Sequence, residues 1–170
     1  MNTRPTWDDT FIDLCFSIAK RSKDRSTKMG AVVVGPNKEP RSMGYNGFPR
    51  NCNDDIEERH LRPKKYLFSA HSEQNCIFNA ARVGVKLEGC IMYIGGPPCA
   101  DCARAIIQVG ILEVVCASTI APRRWRDSCD ASLEMLTEAG IMVRLPNSPD
   151  RITCWQYPNQ DGWGDDRNRP

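Results

Sequence analysis

The chain has 170 residues, with 23 Lys and Arg against 21 Asp and Glu, a formal charge of +2. That length suits one domain with a sizeable core, and so small a charge gives no bulk attraction to nucleic acid or to an anionic membrane. No apolar run approaches the ~20 residues that a membrane span needs.

In chain order, Trp7, Phe11, Leu14, Cys15 and Ile18 recur at helical spacing and predict an amphipathic helix over about residues 6–21. Met29 to Gly35 is a β-branched run ended by Gly-Pro and reads as a strand, with Arg41 to Gly47 pairing back as a hairpin. From Phe48 to Phe68 the chain is polar and irregular, interrupted by Pro49 and Pro63. A loop this long inside a compact domain is more often functional than idle. A helix opens near His71 and ends at Gly84, a residue suited to the C′ position, with Ile77, Ala80 and Ala81 as its apolar stripe. Cys90 to Gly95, apolar throughout, predicts a central strand. A helix follows from about Cys99 to Val109, then a strand at Leu112–Ala117, a helix at Ser128–Ala139 and a last strand at Ile141–Leu145.

This order, α-β-β-α-β-α-β-α-β, implies an α/β fold. Repeated β-α-β units bring parallel pairing, right-handed crossovers and helices on both faces of one five-stranded sheet, which the initial hairpin makes mixed. One domain is expected over residues 1–146. Residues 147–170 form an irregular extension, yet its Trp155, Tyr157 and Trp163 are too apolar for a purely solvated tail. The nine cysteines are odd in number and sit in apolar segments such as "DLCFSI" and "GCIMYI", so most read as small buried thiols in a reducing compartment. The opening "MNTRPTWDDT" lacks the apolar segment of a signal peptide, and a cytoplasmic location is expected.

The exception among the cysteines is "PPCADC", which spaces Cys99 and Cys102 as ligands. With Pro98 at the first helical position, both sulfurs project from one face of the first turn. A helix N-terminus carries partial positive charge and unpaired N–H groups, which favour thiolates. A single C-x-x-C reads equally as a redox pair, and a zinc ribbon would need a second pair, which is absent from the sequence. His71 opens the preceding helix, and consecutive helices of this arrangement start at the same end of the sheet. His71, Cys99 and Cys102 then give three ligands and leave the fourth tetrahedral position open, the mark of one catalytic Zn²⁺ per chain. Glu73 as a fourth ligand would close the site; beside the open position it acts as general acid and base.

His71-Ser72-Glu73 together with Pro98-Cys99-Ala100-Asp101-Cys102 resembles the H-x-E … P-C-x-x-C signature of the zinc-dependent nucleobase deaminases, and that signature supplies these roles. "SKDRSTKMGAVVV", "GYNGFPRNCNDD" and "HSEQNCI" resemble, more narrowly, the deoxycytidylate deaminase branch and its viral and phage members, over about residues 7–145. G-Y-N-G-x-P is the more specific marker, since the zinc motif is common to all branches. The resemblance implies a three-layer α/β/α sandwich, hydrolytic deamination of dCMP to dUMP and ammonia, and hexamers in many members. It also implies activation by dCTP with Mg²⁺ and inhibition by dTTP, and some viral relatives accept dCTP as substrate. A viral origin would make the expected compartment the host cytoplasm. On the motif, Ser72 and Pro98 are carried over as substrate-binding positions, and Asn46 as the sugar or base contact, although "GYNG" alone reads as a turn. Ser72 and Cys76 stand where the branch has alanine, and "YIGGPPC" lacks the threonine usual before the proline. For the second, structural zinc of some phage relatives only the scattered Cys52, His60 and Cys15 offer themselves, and no such site is expected.

A monophosphate needs cations. "APRRWRD" follows a strand at the ligand-binding end of a parallel sheet, so Arg123, Arg124 and Arg126 are candidates to hold phosphate and Trp125 to stack on base or sugar. The same loop also reads as a solvated basic turn. Ser26 and Lys28 in a second basic segment, with Gly47, are candidates for phosphate or an effector. A tRNA adenosine deaminase would need a broad basic surface. A free-base or nucleoside deaminase would need no phosphate site, and a zinc-stabilised binding module would need no Glu73.

Overall fold

The computed structural model describes residues 4–158. Helix α1 spans Trp7–Ala19 and starts at a capping box, in which Thr6 Oγ1 accepts from the Asp9 N–H (3.1 Å) while the Asp9 carboxylate accepts from the Thr6 N–H (3.2 Å). Then come β1 (Gly30–Val34), β2 (Pro40–Tyr45), the short α2 (Lys65–Phe68), α3 (Ser72–Val83), β3 (Ile91–Ile94), α4 (Ala100–Gln108), β4 (Glu113–Cys116), α5 (Arg126–Glu138) and β5 (Met142–Arg144). The α3 helix ends where expected, with Gly84 left-handed at φ 73°.

The five strands form one mixed sheet in the order β2-β1-β3-β4-β5. β1 is antiparallel to both β2 and β3, whereas β3, β4 and β5 are parallel. The crossovers from β2 to β3, β3 to β4 and β4 to β5 all travel the same way across the sheet. Right-handedness therefore lays α3, α4 and α5 on a single face and leaves α1 on the other, giving the three-layer α/β/α sandwich. Two core clusters follow. Ala31, Val33, Met92, Ile94, Val114 and Val143 pack under the three helices, and Val32, Val34, Tyr93 and Val115 pack against Phe11, Ile12 and Cys15 of α1. β1 is buried on both sides, which is why "GAVVV" shows no alternation.

Two stretches that show no periodicity in sequence are ordered by specific contacts. The excursion after β2 contains a 3₁₀ turn, Glu57–His60, and α2, and it is held by Phe48 stacked on His60 (4.9 Å) and by the Arg59 guanidinium over the Phe68 ring (4.6 Å). Beyond β5, the chain packs on its own body. Trp155 is buried and its Nε1–H donates to Cys129 O (2.9 Å), while Gln156 exchanges backbone hydrogen bonds with Thr119 and Ala121. Trp163 lies outside the described residues. No described helix is long and apolar enough to cross a membrane.

Candidate active site

His71 and Cys99 are the N-cap residues of α3 and α4, and both side chains turn into one cluster. Pro98 therefore precedes the cap and does not fill the first helical position; the helix starts two residues later than the proline suggests. The parallel strands that feed α3 and α4 bring these two helix starts together. Cys99 Sγ lies 3.3 Å from His71 Nδ1, Cys102 Sγ lies 3.5 Å from it, and the two sulfurs are 3.5 Å apart. Ser128 Oγ, from α5, accepts from the Ala100 N–H (3.0 Å) and satisfies one of the free amides at the start of α4.

The three groups share protons. The hydrogen bond with Cys99 pushes His71 up to about 9 despite its burial. The Cys102 thiol and His71 together hold Cys99 well below the usual thiol range, and Cys102, giving its S–H to Cys99 in a buried position near Glu73, is pushed up. Without metal this is an imidazolium beside a thiolate. One nitrogen and two sulfurs at this spacing are the donor set that zinc takes. Among the described residues this is the only group of three or more His, Cys, Asp or Glu side chains placed to hold a metal. Cys52 is exposed, His60 Nε2 is engaged with Asp54 O (2.6 Å), and Cys15 Sγ donates to Tyr93 O on the α1 face (3.2 Å); these three are not brought together.

Glu73 stands at the second position of α3. It is 7 % exposed, receives a hydrogen bond from Ser72 Oγ (2.9 Å) and stays outside the donor cluster. Both Glu73 and Ser72 line a cavity of about 300 Å³. Its walls come from the loops after three strands, Asn46 and Tyr66 after β2, Gly95–Pro97 after β3 and Ser118 to Trp125 after β4, and from Asp24, Thr27 and Met29 ahead of β1. Trp125 meets the His71 ring edge-on (5.4 Å) and Tyr66 likewise (5.5 Å), so it closes the cavity over the metal ligands.

The remaining candidates divide. Arg124 lines the cavity; Arg123 does not, and Arg126 lies over the Tyr157 ring (5.3 Å) and pairs with Asp130 (3.7 Å). Asn46 lines the cavity, but its amide is spent on backbone, accepting from the Met29 N–H (2.8 Å) and donating to Thr27 O (2.9 Å). Pro98 itself is not in the wall; Pro97 is. Lys28 is exposed and away from the cavity. Gly47 pairs with Ala70 and borders a separate cavity of about 120 Å³ with Lys23, Asp54 and His60. Ser26 belongs to a polar cluster that sequence reasoning missed. Lys65, 7 % exposed, binds Asp24 (2.8 Å) and Ser26 Oγ (2.7 Å), and both Lys65 and Asp24 line the cavity. Burial alone would raise the Asp24 carboxyl, but hydrogen bonds from Lys65 and from the Thr27 and Ser26 amides hold it below the usual carboxylate range. The available signal was the cationic "KKYLF" just ahead of His71, at the end of an excursion that has to fold back over the site.

Residues 5–118 match the family described as the cytidine and deoxycytidylate deaminase zinc-binding region. A human deoxycytidylate deaminase is 35 % identical over 145 residues, covering 81 % of this chain and 78 % of its own. The deoxycytidylate deaminase of Enterobacteria phage T4 is 31 % identical, covering 89 % of this chain and 96 % of its own. A solved dCMP deaminase from the cyanophage S-TIM5, in complex with dCMP and dUMP, has the same fold, with a TM-score of 0.68 at 23 % identity over 85 % of this chain and 99 % of that one. The chain belongs to the cytidine and deoxycytidylate deaminase family.

Proposed function

We propose that the chain hydrolyses dCMP to dUMP and ammonia. The observation that carries this reading is the placement of Glu73: buried at the cavity floor, beside the two-sulfur, one-nitrogen cluster and not part of it. His71, Cys99 and Cys102 would hold zinc there. Bound in that cluster, zinc supplies Lewis acidity that brings the pKa of a ligated water towards neutrality.

The protein's own groups do the proton work. Glu73 takes one proton from the water that attacks C4 of the cytosine and delivers it to N3. It then carries the second proton to the exocyclic nitrogen, which leaves as ammonia, so the ring gains the oxygen and loses NH₃. The Ser72 hydroxyl, bonded to Glu73 Oε2, fixes the carboxylate's orientation. Trp125 and Tyr66 present aromatic surface to the base and exclude water. Arg124 at the rim provides a cation for the phosphate.

Support for the substrate comes from relatives that carry the name deoxycytidylate deaminase at 35–38 % identity. The same reading extends to dCTP and dTTP as effectors, with Mg²⁺, to dCTP as an additional substrate, and to a homo-oligomer such as a hexamer. It takes residues 1–146 as the catalytic domain and 147–170 as an extension. The test is ammonia release across cytosine, cytidine, CMP, dCMP and dCTP, each with and without added dCTP or dTTP. Release from dCMP is expected; release from cytidine or cytosine with none from dCMP overturns the substrate.

A further inference from the structure

Strand β2 is the free edge of the sheet, so one row of its backbone groups has no strand to pair with. Which residues form that row follows from the ladder. The Asn46 N–H bonds Met29 O across to β1 (3.1 Å), and inward- and outward-pointing residues alternate in an antiparallel pair. Gly44 and Ser42 therefore face β1 with their backbone groups, and Tyr45 and Met43 point theirs outward. Those two outward carbonyls are both taken by α3. Asn75 Nδ2 donates to Tyr45 O (2.8 Å), and Asn79 Nδ2, one helical turn further on, donates to Met43 O (2.7 Å).

Between the two asparagines the helix lies directly on the strand. A Cβ at Gly44 would stand 2.3 Å from the Cys76 backbone nitrogen and 2.6 Å from Ser72 O, a distance that only glycine permits. Ser42 Oγ closes the same contact by donating to Cys76 O (2.6 Å). The first turn of α3, which carries His71 and Glu73, is thus docked on β2 through Gly44 and Asn75, and its second turn through Asn79.

We propose that Asn75 is a positioning residue for the metal site: its amide fixes the start of α3 on the β2 edge, and so sets His71 against the two cysteines of α4 and Glu73 beside them. Asn79 makes the same bond to the same strand a turn away from the ligands and only anchors the helix. The ligand geometry depends on a hydrogen bond that touches neither metal nor substrate. The proposal rests on the zinc assignment but not on the choice of substrate.

The two asparagines provide paired variants. Asn75→Ala and Asn79→Ala each remove one side-chain-to-carbonyl bond, and Asn79→Ala also loses the bond that Asn79 Oδ1 accepts from Arg50 (2.6 Å), so its urea unfolding midpoint is expected to fall at least as far as that of Asn75→Ala. Zinc affinity, measured on the full chain by competition with a chromogenic chelator, is expected to weaken about ten- to hundred-fold for Asn75→Ala and less than threefold for Asn79→Ala. With dCMP, Asn75→Ala is expected to lower kcat with little change in KM. Equal zinc affinities in the two variants, or wild-type affinity in Asn75→Ala, overturn the proposal. Should Asn75→Ala not accumulate as folded protein, Asn75→Leu and Asn79→Leu make the same comparison, keeping approximate size while losing the donor without adding charge. A wild-type chain that binds zinc but leaves dCMP unchanged fails the substrate reading alone; the zinc comparison still decides the role of Asn75.

Discussion

His71 and Cys99 occupy the same station on two different helices, the N-cap, and their side chains face each other at 3.3 Å. Side chains at this position usually accept from the N–H groups of the first turn. Here those amides instead add positive potential around a cluster whose two thiolates must be formed for metal to bind.

Glu73→Gln keeps the shape of the side chain and removes its basicity. Because Glu73 lies outside the donor cluster, the variant is expected to hold zinc in wild-type stoichiometry. Its turnover of dCMP should fall by about 10²–10⁴-fold, the usual worth of a placed general base. Metal content and ammonia release measured on one preparation decide this: a zinc-free variant would make Glu73 a ligand instead.

Metal removal has a defined pH dependence. In the metal-free site His71 keeps its proton up to about 9, and a proton there must leave before Nδ1 can bind metal. Zinc transfer to a chelator at fixed concentration is expected to become more complete as pH falls from 8 to 6. Reconstitution of the stripped protein should release protons, readable as buffer-dependent heat in calorimetry. Transfer that did not vary with pH would contradict the protonated histidine.

Lys65 and Asp24 form a buried pair, with side chains 9 % and 12 % exposed. Lys65→Met leaves Asp24 charged and unpaired, at a cost of about 3 kcal/mol near neutral pH. In the wild type the carboxyl is held below its unfolded value, so its contribution is complete above the ordinary carboxylate range and fades as pH falls through the depressed value. In the variant only the Thr27 and Ser26 amides are left to oppose burial, so the carboxyl rises from its wild-type position. The stability gap between the two proteins, measured by urea unfolding, should therefore be widest near pH 7 and shrink towards pH 4. A gap that widened on acidification would refute the ion pair as its source.

Arg124 and Arg126 are two residues apart and face different surroundings. Arg124→Ala is expected to raise KM for dCMP by roughly tenfold, in line with loss of a charge-assisted hydrogen bond to phosphate, and to leave KM for cytidine unchanged. Arg126→Ala, which loses only contacts to Tyr157 and Asp130, should keep the wild-type KM. Equal KM values for dCMP in Arg124→Ala and the wild type would remove Arg124 from the phosphate site.

The legible part of the molecule was the part governed by local rules. The chain order of helices and strands, the helix ending at Gly84 and the meeting of His71 with Cys99 and Cys102 follow from periodicity, punctuation and the shared direction of consecutive crossovers. The two-residue error at Pro98 arose because a proline is as acceptable just before a cap as just after it, and the deciding bond is not local. The cavity wall was less legible for a different reason. Lys65, Asp24 and Tyr66 come together only because the excursion after β2 folds back, and that fold rests on pairs far apart in sequence, such as Phe48 with His60 and Lys65 with Asp24. Of the arginine loop, sequence could place the segment at the right end of the sheet but not sort its members, since a 3₁₀ turn at Arg123–Trp125 sends neighbouring side chains in different directions.

Because β2, β3 and β4 run the same way, the loops after them open at the same end, and they make most of the cavity wall. The metal cluster, by contrast, hangs on helix starts braced against the sheet. Reactive centre and selectivity wall therefore come from different elements, touching where Trp125 meets His71. Residues such as Ile120 and Arg124 can be exchanged without altering the elements that carry the ligands. A lineage built on this scaffold can drift from one pyrimidine nucleotide to another while its hydrolytic chemistry stays constant.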